Sequence, residues 1–204
     1  MSDHKELTNL HYLVDKGKKE KLKRKAGRLG YTVESISRGV VHYKKDDKNI
    51  VSVKGTNPWS PSDRLSDLKI AIGLTNKDKQ FKGRKKEIKK IYKDIPSNQG
   101  IDLAAHSLGG SIVTSVLAKS KSIRDRTNKA HLYNSGYTKA LHKELRKDLT
   151  PEDRQELNKK ITHHVVEGDI VSEGLKHGAI GRVKKYKSEP DASLLERHGL
   201  DAFN

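Results

Sequence analysis

Apolar and polar residues alternate along residues 31–36 and again along 39–44, with polar residues between the two stretches. Alternation with a period of two is typical of half-buried strands, so this pattern predicts a β-hairpin. After a polar turn at 45–48, the β-branched run 49–54 leads into Gly55. We expect that run to be a buried strand that ends in a loop.

Two other stretches repeat their apolar residues at helical spacing. In residues 1–29, Leu7 and Leu10 begin such a pattern, and the basic run 16–25 follows. We expect an exposed, helical, basic N-terminal extension with solvated charges, and docking on a polyanion or membrane is the alternative. Residues 78–94 carry an apolar stripe among Lys and Arg and predict a second basic helix.

From residue 49 onward, predicted strands alternate with predicted helices. The strands are 49–54, 101–106, 131–136 and 161–169, and the helices are 78–94, 111–118 and one that starts at 150–153. This alternation is typical of a mainly parallel central sheet flanked by helices, so the predicted fold class is α/β. We expect residues 30–204 to form one domain behind the extension at 1–29.

The composition predicts a compact core beneath a very polar surface. Of the 204 residues, 32% are hydrophobic and 34% charged, and the formal net charge is +17. Such a charge attracts anionic partners, which include acidic lipid, acidic protein and nucleic acid. Nucleic acid is the less favoured partner, because Lys outnumbers Arg and no basic-and-aromatic pattern for base recognition occurs.

The chain contains no cysteine. Disulfides, thiolate metal sites and a cysteine nucleophile are therefore excluded. The first residues lack the apolar core of a signal peptide, and no apolar stretch is long enough to span a bilayer. We expect a cytoplasmic or virion-associated protein.

A candidate nucleophile lies between a predicted strand and a predicted helix, in the sequence Ala-His-Ser-Leu-Gly at 105–109. A small-x-Ser-x-Gly turn at this place exposes the serine hydroxyl, here that of Ser107. The N–H of Leu108, at the start of the helix, is positioned to bind an oxyanion. This chemistry predicts hydrolysis by a serine and requires no metal or organic cofactor.

The elbow at 105–110 resembles the His-Ser-Leu-Gly-Gly elbow of the class 3 (fungal-type triacylglycerol) lipases, which are α/β-hydrolases. A second match supports it, because residues 50–56, followed by 63–68, are similar to that family's strand, Arg-Gly-Thr/Ser turn and downstream aspartates. The resemblance implies that Thr56 is the second oxyanion donor. Lys54 stands where the family has Arg, and the Trp between the aspartates is missing.

The resemblance also implies the catalytic base. Residues 194–203 are similar to the His-Ser-Leu-Asp-Asn-Phe ending of class 3 lipase-like proteins and assign this role to His198. His177 is a competitor, and one or both of His163 and His164 are expected to be structural. His106 is next to the nucleophile and is expected to point the wrong way along its strand.

Asp169 is the predicted orienting acid, because it follows an apolar strand at the end where a loop carboxylate can hold a histidine. In the family an acid at the matching strand end has this role. The alternatives are Glu167, Asp191 and Asp201, of which Asp201 is the weakest because it lies so close to the proposed base.

Together these features predict a serine carboxylic ester hydrolase that acts on acylglycerol or phospholipid esters. Trp59, in the loop at 57–61, is a candidate substrate-binding residue, with a core-packing Trp as the alternative. An anionic membrane surface is a candidate partner for the basic helices. The rival hypothesis is a catalytically silent scaffold that docks on polyanions, and an acyltransferase or peptidase remains open within the enzymes.

Overall fold

The computed structural model describes residues 3–37, 39–55, 79–147 and 149–203. Seven strands form one sheet in the order in which they occur along the chain. They are β1 (Thr32–Ile36), β2 (Val40–Lys45), β3 (Lys48–Val53), β4 (Ile101–His106), β5 (Thr127–Tyr133), β6 (Ile161–Val166) and β7 (Arg182–Tyr186).

The sheet is mainly parallel. β1, β2 and β3 pair antiparallel, and β3 through β7 pair parallel to one another. The predicted hairpin of β1 and β2 is confirmed, and β3 follows it through a tight turn in which Asp46 has a φ of +51°. Parallel pairing brings the C-terminal ends of β3, β4, β5 and β6 to one edge of the sheet, where α/β proteins build their sites.

Helices lie along the chain between and beyond these strands. The described α-helices are α1 (Asp3–His11), α2 (Lys19–Arg28), α3 (Lys79–Asp94), α4 (Leu108–Lys119), α5 (Lys121–Arg126), α6 (Lys139–Lys147), α7 (Pro151–Lys160) and α8 (Leu194–His198). Short 3₁₀ helices occupy Glu173–His177 and Leu200–Phe203. The predicted α/β fold class, a mainly parallel sheet flanked by helices, is confirmed.

The N-terminal helices differ from the exposed arm expected from the sequence. Leu7 of α1 and Leu22 of α2 are 0% exposed, because they pack on the sheet face formed by Val41, Tyr43 and Ile50. The Lys and Arg side chains of α2 are exposed, in agreement with the expected solvated charges. The burial of the apolar stripe of the same helix was not expected. Packing supplies the stability that a solvated basic helix would lack.

Strand limits also shift where pairing extends beyond the apolar pattern. β5 begins at Thr127, which pairs with Ile101 of β4, and it ends before Asn134, which has a φ of +40°. β7 carries no alternating apolar pattern, and the sequence analysis did not predict it. β7 is held by its hydrogen-bonded pairing with β6, and the hydrophobic pattern of the sequence does not indicate this pairing.

Among the described residues, no helix combines the length and the apolar character needed to cross a membrane.

Candidate active site

Ser107 lies in a sharp turn between β4 and α4. Its backbone has φ +55° and ψ −128°, a conformation that costs energy for a residue with a Cβ atom. Main-chain hydrogen bonds hold it: the Ser107 N–H donates to the Tyr133 carbonyl at 3.1 Å, and the Ser107 carbonyl accepts from Gly110 and Gly136, each at 2.9 Å. The elbow is thus fixed by backbone contacts from β5, from the loop that follows β5, and from α4.

Two glycines allow the strand, the turn and the helix to approach closely. A Cβ atom on Gly109 would lie 2.2 Å from the Val53 carbonyl oxygen, so only glycine fits where α4 passes β3. A Cβ atom on Gly55 would lie 2.6 Å from Cβ of Ser107. The end of β3 therefore passes directly beside the serine.

The structure brings two of the predicted residues into contact. Nδ1 of His198 lies 2.8 Å from Oδ1 of Asp169, and the two side chains are 1% and 0% exposed. The other carboxylate oxygen of Asp169 accepts from the N–H of Ser172 at 3.0 Å and from its hydroxyl. Asp169 is therefore held in place and accepts the Nδ1 proton of His198, which leaves Nε2 of the neutral imidazole with a lone pair.

Neither Ser107 Oγ nor His198 Nε2 forms a hydrogen bond with the described residues, although both atoms are buried. Buried polar atoms without partners are uncommon and call for an explanation. These two belong to one neighbourhood, since the rings of His106 and His198 have centroids 4.9 Å apart and His106 directly precedes Ser107. Ser107 and His198 are therefore not hydrogen-bonded to each other through these atoms.

Asn134 fixes the position of His198 and was missed by sequence reasoning. Its Nδ2 donates to the carbonyls of Arg197 at 2.8 Å and His198 at 3.1 Å, and its Oδ1 accepts from the N–H of Val166 at 3.0 Å. The available signal was an Asn at the end of a strand, since Asn adopts positive φ more readily than most residues. The sequence did not indicate its distant partners.

The alternative histidines occupy other positions. His163 bonds to Ser135 at 2.7 Å and to the Ile180 carbonyl at 3.0 Å, and burial lowers its pKa to about 4. His164 bonds to His131 and Tyr186. Both are therefore structural in the sense expected from the sequence, and the side chain of His177 lies outside the described residues.

The alternative acids are all exposed. Glu167, Asp191 and Asp201 lie on the surface, whereas Asp169 is 4% exposed. Among the described contacts of His198, Asp169 supplies the carboxylate.

Leu108 is the first residue of α4, where backbone N–H groups lack intrahelical partners. Thr56 and Trp59 lie outside the described residues. Within the described ranges, no cluster of three or more His, Asp or Glu side chains is arranged to hold a metal ion.

The chain is similar in structure to a triacylglycerol lipase from Penicillium expansum, with 13% identity over 78% of this chain and 70% of that chain and a TM-score of 0.43. It is also similar to an esterase/lipase from an uncultured bacterium, with 10% identity over 81% of this chain and 80% of that one and a TM-score of 0.41. No protein-family model matches the chain, and no curated protein matches its sequence. A function for this chain therefore has to be inferred from the side-chain geometry.

Proposed function

We propose that this chain is a serine-dependent carboxylic ester hydrolase in which Ser107 is the nucleophile, His198 the general base and Asp169 the orienting acid. One observation carries the proposal: the buried pair of His198 and Asp169 leaves Nε2 without a partner in the neighbourhood of an unpartnered serine hydroxyl at a strained elbow. Catalytic hydrogen bonds are often long or absent without substrate and tighten in the Michaelis complex.

In the proposed reaction His198 Nε2 takes the Ser107 proton as Oγ attacks the ester carbonyl. Asp169 stabilises the imidazolium, which then gives the proton to the leaving alcohol. Water, deprotonated by the same histidine, releases the acid and restores the serine. We assign the oxyanion donors to Leu108 and Thr56, and the closeness of Gly55 to Ser107 supports the second assignment because Thr56 follows Gly55 in the chain.

We propose a lipid ester, an acylglycerol or a phospholipid, as the substrate, with Trp59 as part of its binding wall. The exposed basic side chains of α2 support contact with an anionic lipid surface. They are Lys19, Lys21, Lys23, Arg24, Lys25 and Arg28.

Hydrolysis of short- and long-chain p-nitrophenyl esters tests the proposal, with and without anionic vesicles. In Ser107→Ala we expect kcat to fall by about 10⁴-fold or more, because removal of the nucleophile leaves only binding and oxyanion contributions. The control is Ser115→Ala, which removes a buried serine of α4, the helix that follows Ser107, and is expected to leave kcat within about threefold. Equal turnover by Ser107→Ala and wild type would rule out the mechanism, and vesicle stimulation of the wild type would indicate a lipase.

The second candidate is a non-catalytic scaffold that docks on polyanions. The formal net charge of +17 and the exposed basic face of α2 favour it. Salt-sensitive binding to a polyanion, with no ester turnover by folded wild-type protein, would select this candidate.

A further inference from the structure

A hydrogen-bonded chain runs from the N-terminal segment to the proposed base. The Tyr12 hydroxyl, in the turn after α1, lies 2.6 Å from Nδ1 of His106. Nε2 of the same ring lies 2.8 Å from the main-chain carbonyl of His198. Three segments far apart in sequence, which are the turn after α1, β4 and α8, are thus joined beside Ser107.

The partners fix the direction of each hydrogen bond. A carbonyl oxygen only accepts, so Nε2 of His106 carries the proton that it donates to His198. Burial lowers the pKa of His106 to about 3. The ring is therefore neutral, its Nδ1 is an acceptor, and the Tyr12 hydroxyl must be the donor.

Tyr12 is well suited to hold this ring in one tautomer. Burial raises its pKa above the usual value, so its hydroxyl keeps its proton. The edge of its ring meets His106 with centroids 5.8 Å apart, and the Lys54 ammonium lies 5.7 Å from its ring centroid. α1 itself is fixed on the sheet by the buried Leu7 and by a hydrogen bond between His4 and Asp102 at 2.8 Å.

The main-chain carbonyl of His198 is the last acceptor in this series of hydrogen bonds, and the side chain of the same residue is the proposed base for the serine. It accepts from His106 and, at 3.1 Å, from Nδ2 of Asn134, so both of its lone pairs are used. α8 ends at His198 and is only five residues long, so it has little rigidity of its own. A displacement of about 1 Å at a catalytic group can cost about 10²-fold in rate.

We propose that Tyr12 and His106 are positioning residues of the hydrolase: Tyr12 fixes the His106 ring, and this ring holds the main chain of His198 so that Nε2 can reach Ser107. The inference rests on the proposed function. It extends the site to the N-terminal segment, which the sequence analysis treated as an extension.

The test compares Tyr12→Phe with Tyr43→Phe. The Tyr43 hydroxyl donates to the Leu7 carbonyl at 3.1 Å, so Tyr43→Phe removes a hydrogen bond between α1 and the sheet. It leaves intact the hydrogen bonds from Tyr12 through His106 to the His198 carbonyl, which we call the relay. We expect Tyr12→Phe to lower kcat by about 10- to 100-fold with KM within about twofold. We expect Tyr43→Phe to lose comparable stability and keep its kcat.

Two His106 variants separate positioning from packing. His106→Gln retains a donor for the His198 carbonyl and is expected to keep most of the activity, whereas His106→Leu is expected to lose at least as much kcat as Tyr12→Phe. In the His106→Leu background, Tyr12→Phe should have no further effect on kcat, because Tyr12 acts through His106. Additive losses would contradict the relay.

A readout without turnover separates failure of the relay from failure of the proposed function. In ¹⁵N-histidine NMR spectra we expect His106 as the Nε2–H tautomer and His198 as the Nδ1–H tautomer, with the His198 signals shifted by Tyr12→Phe and not by Tyr43→Phe. A proton on Nδ1 of His106, or His198 signals that do not respond to Tyr12→Phe, would overturn the relay in an active or an inactive protein. A different result would overturn the hydrolase assignment: a fluorophosphonate fails to label Ser107 of the wild type, while Tyr12→Phe still shifts the His198 signals. In that case the relay exists but has no catalytic role.

Discussion

The residues around Ser107 are constrained by close approaches of the main chain. Gly55, two residues after β3 ends, has no room for a side chain, since an added Cβ would also lie 2.8 Å from the His106 carbonyl oxygen. The sequence placed Gly55 at the end of a strand, in the stretch that resembles the family's Arg-Gly-Thr/Ser turn, and did not indicate its contact with the serine. Its contact with the serine depends on the pairing of β3 with β4.

We expect Gly55→Ala to destabilise the fold by about 1–3 kcal/mol through overpacking and to lower esterase kcat, because Ser107 and the end of β3 must move apart. Urea denaturation and ester kinetics measure the two effects. Gly83→Ala in α3 is the control: its added Cβ meets no atom within 4 Å, and helix propensity predicts a gain of about 0.5–1 kcal/mol. Normal kcat and stability in Gly55→Ala would contradict the close approach.

Among the elements, α1 and α2 show how an amphipathic stripe can be misjudged. Their charges dominate the local composition, so the sequence favoured a solvated arm. The few apolar residues nevertheless cover one face of the sheet, where Val41, Tyr43, Ile50 and Ala104 would otherwise meet water. The boundary between an extension at 1–29 and a domain at 30–204 stays a prediction. The packing of α1 on the sheet allows it to be tested through stability.

If α1 belongs to the folded unit, Leu7→Ala should cost about 2–5 kcal/mol in the free energy of unfolding, as a buried leucine does. Leu194→Ala is the matched control, because this leucine is 44% exposed and its loss should cost less than about 0.5 kcal/mol. Chemical denaturation followed by circular dichroism gives both values. Equal stability of the two variants would mean that α1 is a dispensable arm.

Across the whole molecule, several histidines are buried or half-buried, and this burial lowers their pKa. Burial lowers the pKa of His131 and His163 to about 4 and that of His106 and His164 to about 3. In the unfolded chain these groups titrate near 6.5. Between the two values the unfolded chain binds more protons, so the free energy of unfolding rises with pH.

We therefore expect stability to be at its full value above about pH 6.5 and to fall as the pH drops toward 3–4. His163→Gln tests one contribution, because the amide can keep a hydrogen bond and does not titrate. The difference in unfolding free energy between pH 7.5 and pH 5 should be smaller in this variant by about 2 kcal/mol. An unchanged pH dependence would show that His163 is not buried as a neutral group.

The local pattern by itself determined the strands of the hairpin, the helix predicted over 78–94, the strand–turn–helix around Ser107 and, by strand–helix alternation, the α/β class. These features depend on neighbours within a few residues, so periodicity and turn chemistry report them. Asp169 was predicted from its place after an apolar strand and His198 from the resemblance, and their catalytic roles stay predictions.

Only the tertiary structure decided which distant atoms meet. The contact of Asp169 with His198, the hold of Asn134 on α8, the approach of Gly55 to Ser107 and the chain from Tyr12 through His106 join residues separated by tens of positions. Strand order and packing set these contacts, and the hydrophobic pattern is the same for many strand orders. The same reason explains the burial of α1 and α2, since periodicity identifies an apolar face and only packing chooses the surface that covers it.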